Sequence, residues 1–203
     1  MTFDGSTLFS LAGLGSLKLQ GLSLSGAPSA IDAALIRVSP GYPLNNYAVE
    51  LVETEVADMK AVLKGERGAF ADHVTISRSR FTDLGGPVLD LAGEAAGSGL
   101  YGGETIEITD SQFTRLDGPV IDIRRSGTDE STFGPRVRVS GSTFRDVAPG
   151  QPSMKLDGVQ VVKLDANLFE RAGPARVTLH VGKPDLSEAG NTGAALEIID
   201  KRK

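Results

Sequence analysis

One spacing recurs along this chain and limits what it can fold into. An apolar residue is followed five positions later by a second one, most often phenylalanine. The clearest copies are "VTISRSRF" (Ile76, Phe81), "IEITDSQF" (Ile108, Phe113), "VRVSGSTF" (Val139, Phe144) and "VVKLDANLF" (Leu164, Phe169), with fainter ones in "LKLQGLSLSG" (Leu19, Leu24) and "VELVETEVAD" (Leu51, Val56). The second anchors fall at residues 24, 56, 81, 113, 144 and 169, so six units follow one another in steps of 25 to 32 residues. A fixed period of this length is the mark of a stacked repeat. The shorter step is read as a bare coil, and the longer one as the same coil with a six- or seven-residue insertion.

Within a unit the order is similar: a strand of alternating residues, a polar turn such as Ser77-Arg78-Ser79-Arg80, the inward Phe, a Gly-Pro corner and a second strand. The corner appears as Gly86-Pro87, Gly118-Pro119 and Gly173-Pro174. Proline there sets φ without forfeiting a ladder donor. With 25 glycines, 10 prolines and 5% aromatics, and no helical period, the chain is expected to be all-β. The predicted fold is a right-handed parallel β-helix of about six to seven coils, one domain over residues 1–203, with the phenylalanines stacked in an internal column. A β-sandwich would not need the same residue types at the same offset in unit after unit.

"TLFSLAG" (Thr7 to Gly13) aligns with "PVLDLAG" (Pro87 to Gly93), so the chain is expected to open on the second strand of a coil whose first strand is missing. A partner or further coils would then cover that end. "LEII" (Leu196 to Ile199) reads as a last strand before a charged tail.

Charge narrows the partners. With 21 basic against 26 acidic residues, a net charge of −5 and no dense Lys/Arg block, neither nucleic acid nor an anionic membrane is expected as a partner. The absence of cysteine excludes a disulfide scaffold, a thiolate zinc site and a cysteine nucleophile. The opening Met1-Thr2-Phe3-Asp4-Gly5 lacks the regions of a secretion signal.

The segment "RRSGTDESTFGP" (Arg124 to Pro135) interrupts two alternating runs with little to bury. It holds the main candidates: Arg124 and Arg125, then the adjacent carboxylates Asp129 and Glu130 beside Ser131 and Thr132. Arginine pairs carboxylates bidentately, so ligand or domain contact is one reading. A turn in which Asp129 and Ser131 bond local backbone amides is the other. Two carboxylates and two hydroxyls fall short of the six to eight oxygens calcium takes. Tyr42 and Tyr47, in "SPGYPLNNY" (Ser39 to Tyr47), are read as a rim insertion whose rings either stack on sugars or anchor the loop. Phe133 stands off the phenylalanine column. His73 and His180 lie in different coils and are read as surface positions. "GSGLYGGE" (Gly97 to Glu104) precedes a strand and reads as an insertion rather than a phosphate loop, and "GERG" (Gly65 to Gly68) as a tight turn.

Taken in order, "LFSLAGLGSLKLQGLSLSG", "VTISRSRFTDLGG" and above all "RRSGTDESTFGPRVRVSGSTFRDV" resemble the C-terminal β-helical half of the alginate lyase and chondroitinase B family of polysaccharide lyases, over about Leu8 to Phe169. The resemblance implies a periplasmic or extracellular bacterial enzyme that cleaves uronate polysaccharide by β-elimination. Calcium would sit in the catalytic half, with no cofactor in this chain, and the partner would be an N-terminal catalytic β-helix domain. A lysine base and an assisting arginine belong to that half, in stretches of the type Glu-x-x-x-x-Lys-Ser. No such stretch occurs here; Lys163 lacks a preceding Glu pair and a following Lys-Ser, and Arg171 and Arg176 lie nearby without the metal carboxylates, so no catalytic residue is carried over. Three function classes follow: an accessory or interface domain of a two-part lyase, which the resemblance favours, an autonomous lyase, and a non-enzymatic carbohydrate-binding β-helix of adhesin or tail-spike type.

Overall fold

The structure, a computed structural model, describes residues 2–3, 7–26, 33–41, 46–94, 103–124, 134–193 and 196–202. All regular structure among them is strand, in three wholly parallel sheets. The phenylalanine sheet stacks seven strands: Thr2–Phe3, Ser23–Gly26, Glu55–Ala57, Arg80–Leu84, Gln112–Leu116, Thr143–Val147 and Leu168–Glu170. The second sheet stacks eight: Thr7–Leu11, Ala34–Val38, Ala61–Gly65, Leu89–Asp90, Ile121–Ile123, Met154–Asp157, Ala175–Leu179 and Leu196–Asp200. The third stacks seven: Ser16–Gln20, Asn46–Val52, Phe70–Ser77, Thr105–Thr109, Arg136–Ser140, Val161–Asp165 and Asp185–Ala189. The chain visits the three sheets in rotation, which is a parallel β-helix.

Both sequence anchors are columns. Leu24, Val56, Phe81, Phe113, Phe144 and Phe169 pair in direct register from coil to coil. So do Leu19, Leu51, Ile76, Ile108, Val139 and Leu164. The four phenylalanine rings stack nearly parallel, with centroids 5.2, 5.1 and 4.7 Å apart. Parallel strands lie about 4.8 Å apart, so one ring per coil at the same offset stacks offset face to face, an arrangement worth about 1 kcal/mol per pair beyond burial.

The coil has three strands where the sequence reading gave two. The Phe segment forms its own sheet, because its flanking residues pair with the coils on both sides. Thr7–Leu11 belongs to the second sheet, in the same row as Leu89, as the alignment required. Ahead of it, Thr2–Phe3 pairs with Ser25–Gly26, so a strand of the phenylalanine sheet precedes the one on which the coil was expected to open.

The polar turn between the third sheet and the phenylalanine sheet is also more than a turn. Thr54, Ser79, Ser111, Ser142 and Asn167 are buried, each following a residue at positive φ or a glycine: Glu53, Arg78, Asp110, Gly141 and Ala166. The amide of each donates to the side-chain oxygen of the next: Thr54 to Ser79, Ser79 to Ser111, Ser111 to Ser142 (3.1 Å each), Ser142 to Asn167 (3.0 Å) and Asn167 to Asn191 (2.9 Å). A buried amide unpaired costs about 1–3 kcal/mol, and this ladder pairs one per coil. At the next corner, a Cβ on Gly118 would lie 2.5 Å from the carbonyl carbon of Gly86; only glycine lets these corners stack.

Candidate functional site

On the second sheet, the residues that alternate with core positions face outward. Register places Arg37, Lys64, Asp90, Asp122, Lys155, Arg176 and Glu197 in one row along the solenoid. Two residues on, Asp157 pairs with Thr178, and Arg124, which follows the Ile123–Leu156 pair, stands level with Asp157. These two rows form a groove of about 300 Å³ over three coils, lined by Asp122, Arg124, Lys155, Asp157, Arg176 and Thr178. Asp122 stands beside Lys155 and Arg124 beside Asp157 in it, with Arg176 next to Lys155.

The partners are unequally shared. Arg176 Nε donates to Glu197 Oε2 at 2.8 Å, and His180 Nε2 bonds Asp157 Oδ1. Among the described residues, Lys155 Nζ donates only to the amide oxygen of Gln151, at 3.2 Å. Among the described residues, neither Lys155 nor Arg124 has a carboxylate within ion-pair distance. Between them Asp122 is half-buried. Desolvation raises its pKa, with Asp90 and Asp157 adding to the rise, against the opposing pull of Lys155 and Arg124. The groove thus offers two cations without a carboxylate ion pair among the described residues, beside a half-buried carboxyl whose pKa is raised.

Two other grooves differ on this point. One of about 350 Å³ lies along Glu53, Glu55, Arg78, Arg80 and Asp110, where Arg78 holds Glu53 at 3.0 Å and Arg80 holds Glu55 at 3.8 Å. The other, of about 450 Å³, runs past Asp83, Arg115, Asp117 and Asp146 on the phenylalanine sheet. There Arg115 grips Asp83 through two N–H groups (2.6 and 2.7 Å), and Arg171 grips Asp146 in the same way (2.6 and 2.9 Å). Both carboxyls are held below their ordinary pKa, chiefly by those hydrogen bonds. Arginines already closed on carboxylates have little to offer a ligand, so the second-sheet groove is the candidate site.

Of the residues singled out in the sequence, Arg124 lies in this groove. Arg125, Asp129, Glu130, Phe133 and Tyr42 lie outside the described residues. Tyr47 is corrected: it is no rim residue but a buried member of the third sheet, 2% exposed, and no sugar ring can stack on it. Its hydroxyl donates to Glu94 Oε1 at 2.6 Å. Glu94, which the sequence reading passed over, is itself 2% exposed and accepts the Ala71 amide at 3.4 Å. It occupies the space beside Gly65, where a Cβ would fall 1.9 Å from Glu94 Oε1. Burial above all pushes Glu94 up to about 8, and burial followed by Glu94 holds the Tyr47 phenol well above its usual value. Glu66-Arg67-Gly68 makes the expected tight turn, closed by the Ala69 amide on the Glu66 carbonyl at 3.0 Å. His73 is exposed.

Lys155, Asp157, Asp122, Arg176 and His180 were not grouped in advance. Their only sequence signal is an outward position in a short strand. Among the described residues, no three His, Asp or Glu side chains converge as metal ligands, so the calcium of the resemblance finds no donor set there and no step is derived through it.

A PL6 family alginate lyase, AlyGC, superposes on 97% of this chain at a TM-score of 0.85 with 27% sequence identity; a structure of one of its point mutants does so on 98% at 0.86, also with 27% identity. The chain spans only 29% and 30% of those lyase chains. No family model and no curated protein matches the chain. In fold, this is an alginate-lyase-like polysaccharide lyase β-helix, as the sequence resemblance implied.

Proposed function

We propose that this chain is the accessory, non-catalytic C-terminal β-helix of an alginate-lyase-like polysaccharide lyase, working in the periplasm or outside the cell beside an N-terminal β-helix that carries the base, the assisting arginine and the calcium. The observation that carries the reading is the match of nearly the whole chain to less than a third of a lyase. Side-chain pairing supports it. Lys163 faces Asp185 at 3.6 Å, and Arg171 is held by both Asp146 and Glu170. A proton-abstracting lysine needs a lowered pKa and free reach to the substrate, whereas these cations are spent on surface ion pairs.

The first coil supports the partner. Leu8, Phe9, Leu11 and Leu17 pack on the core only partly, although their column neighbours Leu35, Ile36, Val38 and Val49 are buried. A further β-helical coil stacked in register covers those side chains and also pairs the strand edges of Thr7–Leu11 and Ser16–Gln20. The test is to incubate the chain with alginate and follow the ultraviolet absorbance of unsaturated uronates. No product is expected. Sustained product formation would refute the reading.

A further inference from the structure

We propose that the groove at Arg124, Asp122 and Lys155 is a docking site for an acidic oligosaccharide chain, separate from any bond-cleaving centre and used to hold polymer on the second sheet. The class of polymer rests on the accessory-lyase reading above; the location rests on the groove alone.

The chemistry of the grid selects the ligand. Across three coils the outward rows read Asp122, Lys155, Arg176 and Arg124, Asp157, Thr178. Acceptor and donor therefore lie side by side in the square formed by Asp122, Lys155, Arg124 and Asp157, with Arg176 adding a further donor next to Lys155. A metabolite with a single charge would use one square of this grid. A sugar polymer bearing a carboxylate on each ring, with hydroxyls between, presents anions to the cations and donors to the carboxyls of several squares at once.

The two cations without a carboxylate, Arg124 and Lys155, lie on the diagonal and flank Asp122. They supply charge-assisted bonds to ring carboxylates, and arginine does so through two parallel N–H groups. Asp122 and Asp157 accept from hydroxyls. Arg176, closed on Glu197, bounds the groove at one end, and the His180–Asp157 bond fixes one acceptor in place. Asp122 is half-buried, so a charged contact made beside it is less screened by water than one on the open surface.

Affinity is measured by titration calorimetry on the chain, with oligomannuronate, oligoguluronate, a sulfated glycosaminoglycan oligosaccharide and a neutral cello-oligosaccharide as probes. Saturable binding of at least one uronate oligomer is expected, stronger than that of the neutral probe and falling as salt rises. Lys155→Ala and Arg124→Ala should each weaken it about tenfold, while Arg115→Ala, in the groove on the phenylalanine sheet, leaves it unchanged. Circular dichroism checks that each variant keeps its strands; a variant that does not is replaced by Lys155→Gln or Arg124→Gln. The proposal is overturned if no uronate oligomer binds, if the neutral oligomer binds equally, if only the sulfated probe binds, or if the Lys155 and Arg124 variants bind as the parent does. None of these results touches the accessory reading, which stands or falls on bond cleavage.

Discussion

At the corner between the third sheet and the phenylalanine sheet, successive coils bury Thr54, Ser79, Ser111, Ser142 and Asn167; at the corner between the second and third sheets, the carboxyl of Glu94 is buried. The first corner is a series. Each side-chain oxygen takes the amide of the coil before it, and each serine hydroxyl donates to the carbonyl two residues back: Ser79 to Ser77, Ser111 to Thr109, Ser142 to Ser140. The second corner is a single event, with Tyr47 and the Ala71 amide as its donors. Polar burial is tolerated along a repeat because every coil supplies the partner of the next. A lone acid has no such neighbours, and it keeps its proton instead.

Breaking that contrast at Glu94 gives the largest expected effect. Its folded pKa, about 8, lies above the ordinary glutamate value of 4.5, so between those pH values the folded chain holds a proton that the unfolded chain has lost. Stability from this group is complete below about pH 4.5, declines through the window and levels off above pH 8. The full span is on the order of 5 kcal/mol. Denaturant melts of Glu94→Gln against the parent at pH 5 and pH 9 should show a gain at pH 9 that is absent at pH 5; equal differences at both would mean the carboxyl is ionised throughout.

Within the ladder, Asn167→Ala is expected to cost about 3 kcal/mol. Asn167 Oδ1 accepts the Ser142 amide, and its Nδ2 donates to the Val139 carbonyl at 2.9 Å and to Asn191 at 3.0 Å. Urea unfolding measures this, and a loss under 1 kcal/mol would show that the ladder is not a stabilising series. Ser111→Ala removes one oxygen and should cost about 1–2 kcal/mol, with faster hydrogen exchange at the Ser79 amide, which it leaves unpaired. The smallest effect has the opposite sign. Ser153 is fully buried with no partner for its hydroxyl among the described residues, so Ser153→Ala should be neutral or stabilise by up to about 1 kcal/mol. A clear loss would imply an acceptor there.

How far each part could be read from the sequence follows from the corners. From the third sheet to the phenylalanine sheet the offset is five residues in every coil, as from Ile76 to Phe81 and from Leu164 to Phe169, because the ladder turn leaves no room for variation. Both columns, and the fold with them, were therefore visible. From the phenylalanine sheet to the second sheet the count changes. Asp122 stands nine residues after Phe113, Lys155 eleven after Phe144 and Arg176 seven after Phe169, although all three share one row. No constant offset could have grouped them. Tyr47 was misplaced for a related reason: it follows Pro43-Leu44-Asn45-Asn46 in the stretch read as a rim insertion, yet Asn46–Val52 is already strand, with the Tyr47 hydroxyl on the buried Glu94 carboxyl.

By itself the sequence determined that the chain winds into stacked parallel coils with a phenylalanine column, because like side chains at a constant interval bury apolar surface only when the coils lie in register. The tertiary structure alone decided which outward charges meet, that Arg124 and Lys155 lack carboxylate partners among the described residues while Arg115 and Arg171 are closed on theirs, and that Glu94 lies inside. Those facts depend on the number of residues in each corner, which shifts one strand's outward positions against the next and is not expressed in any periodic signal.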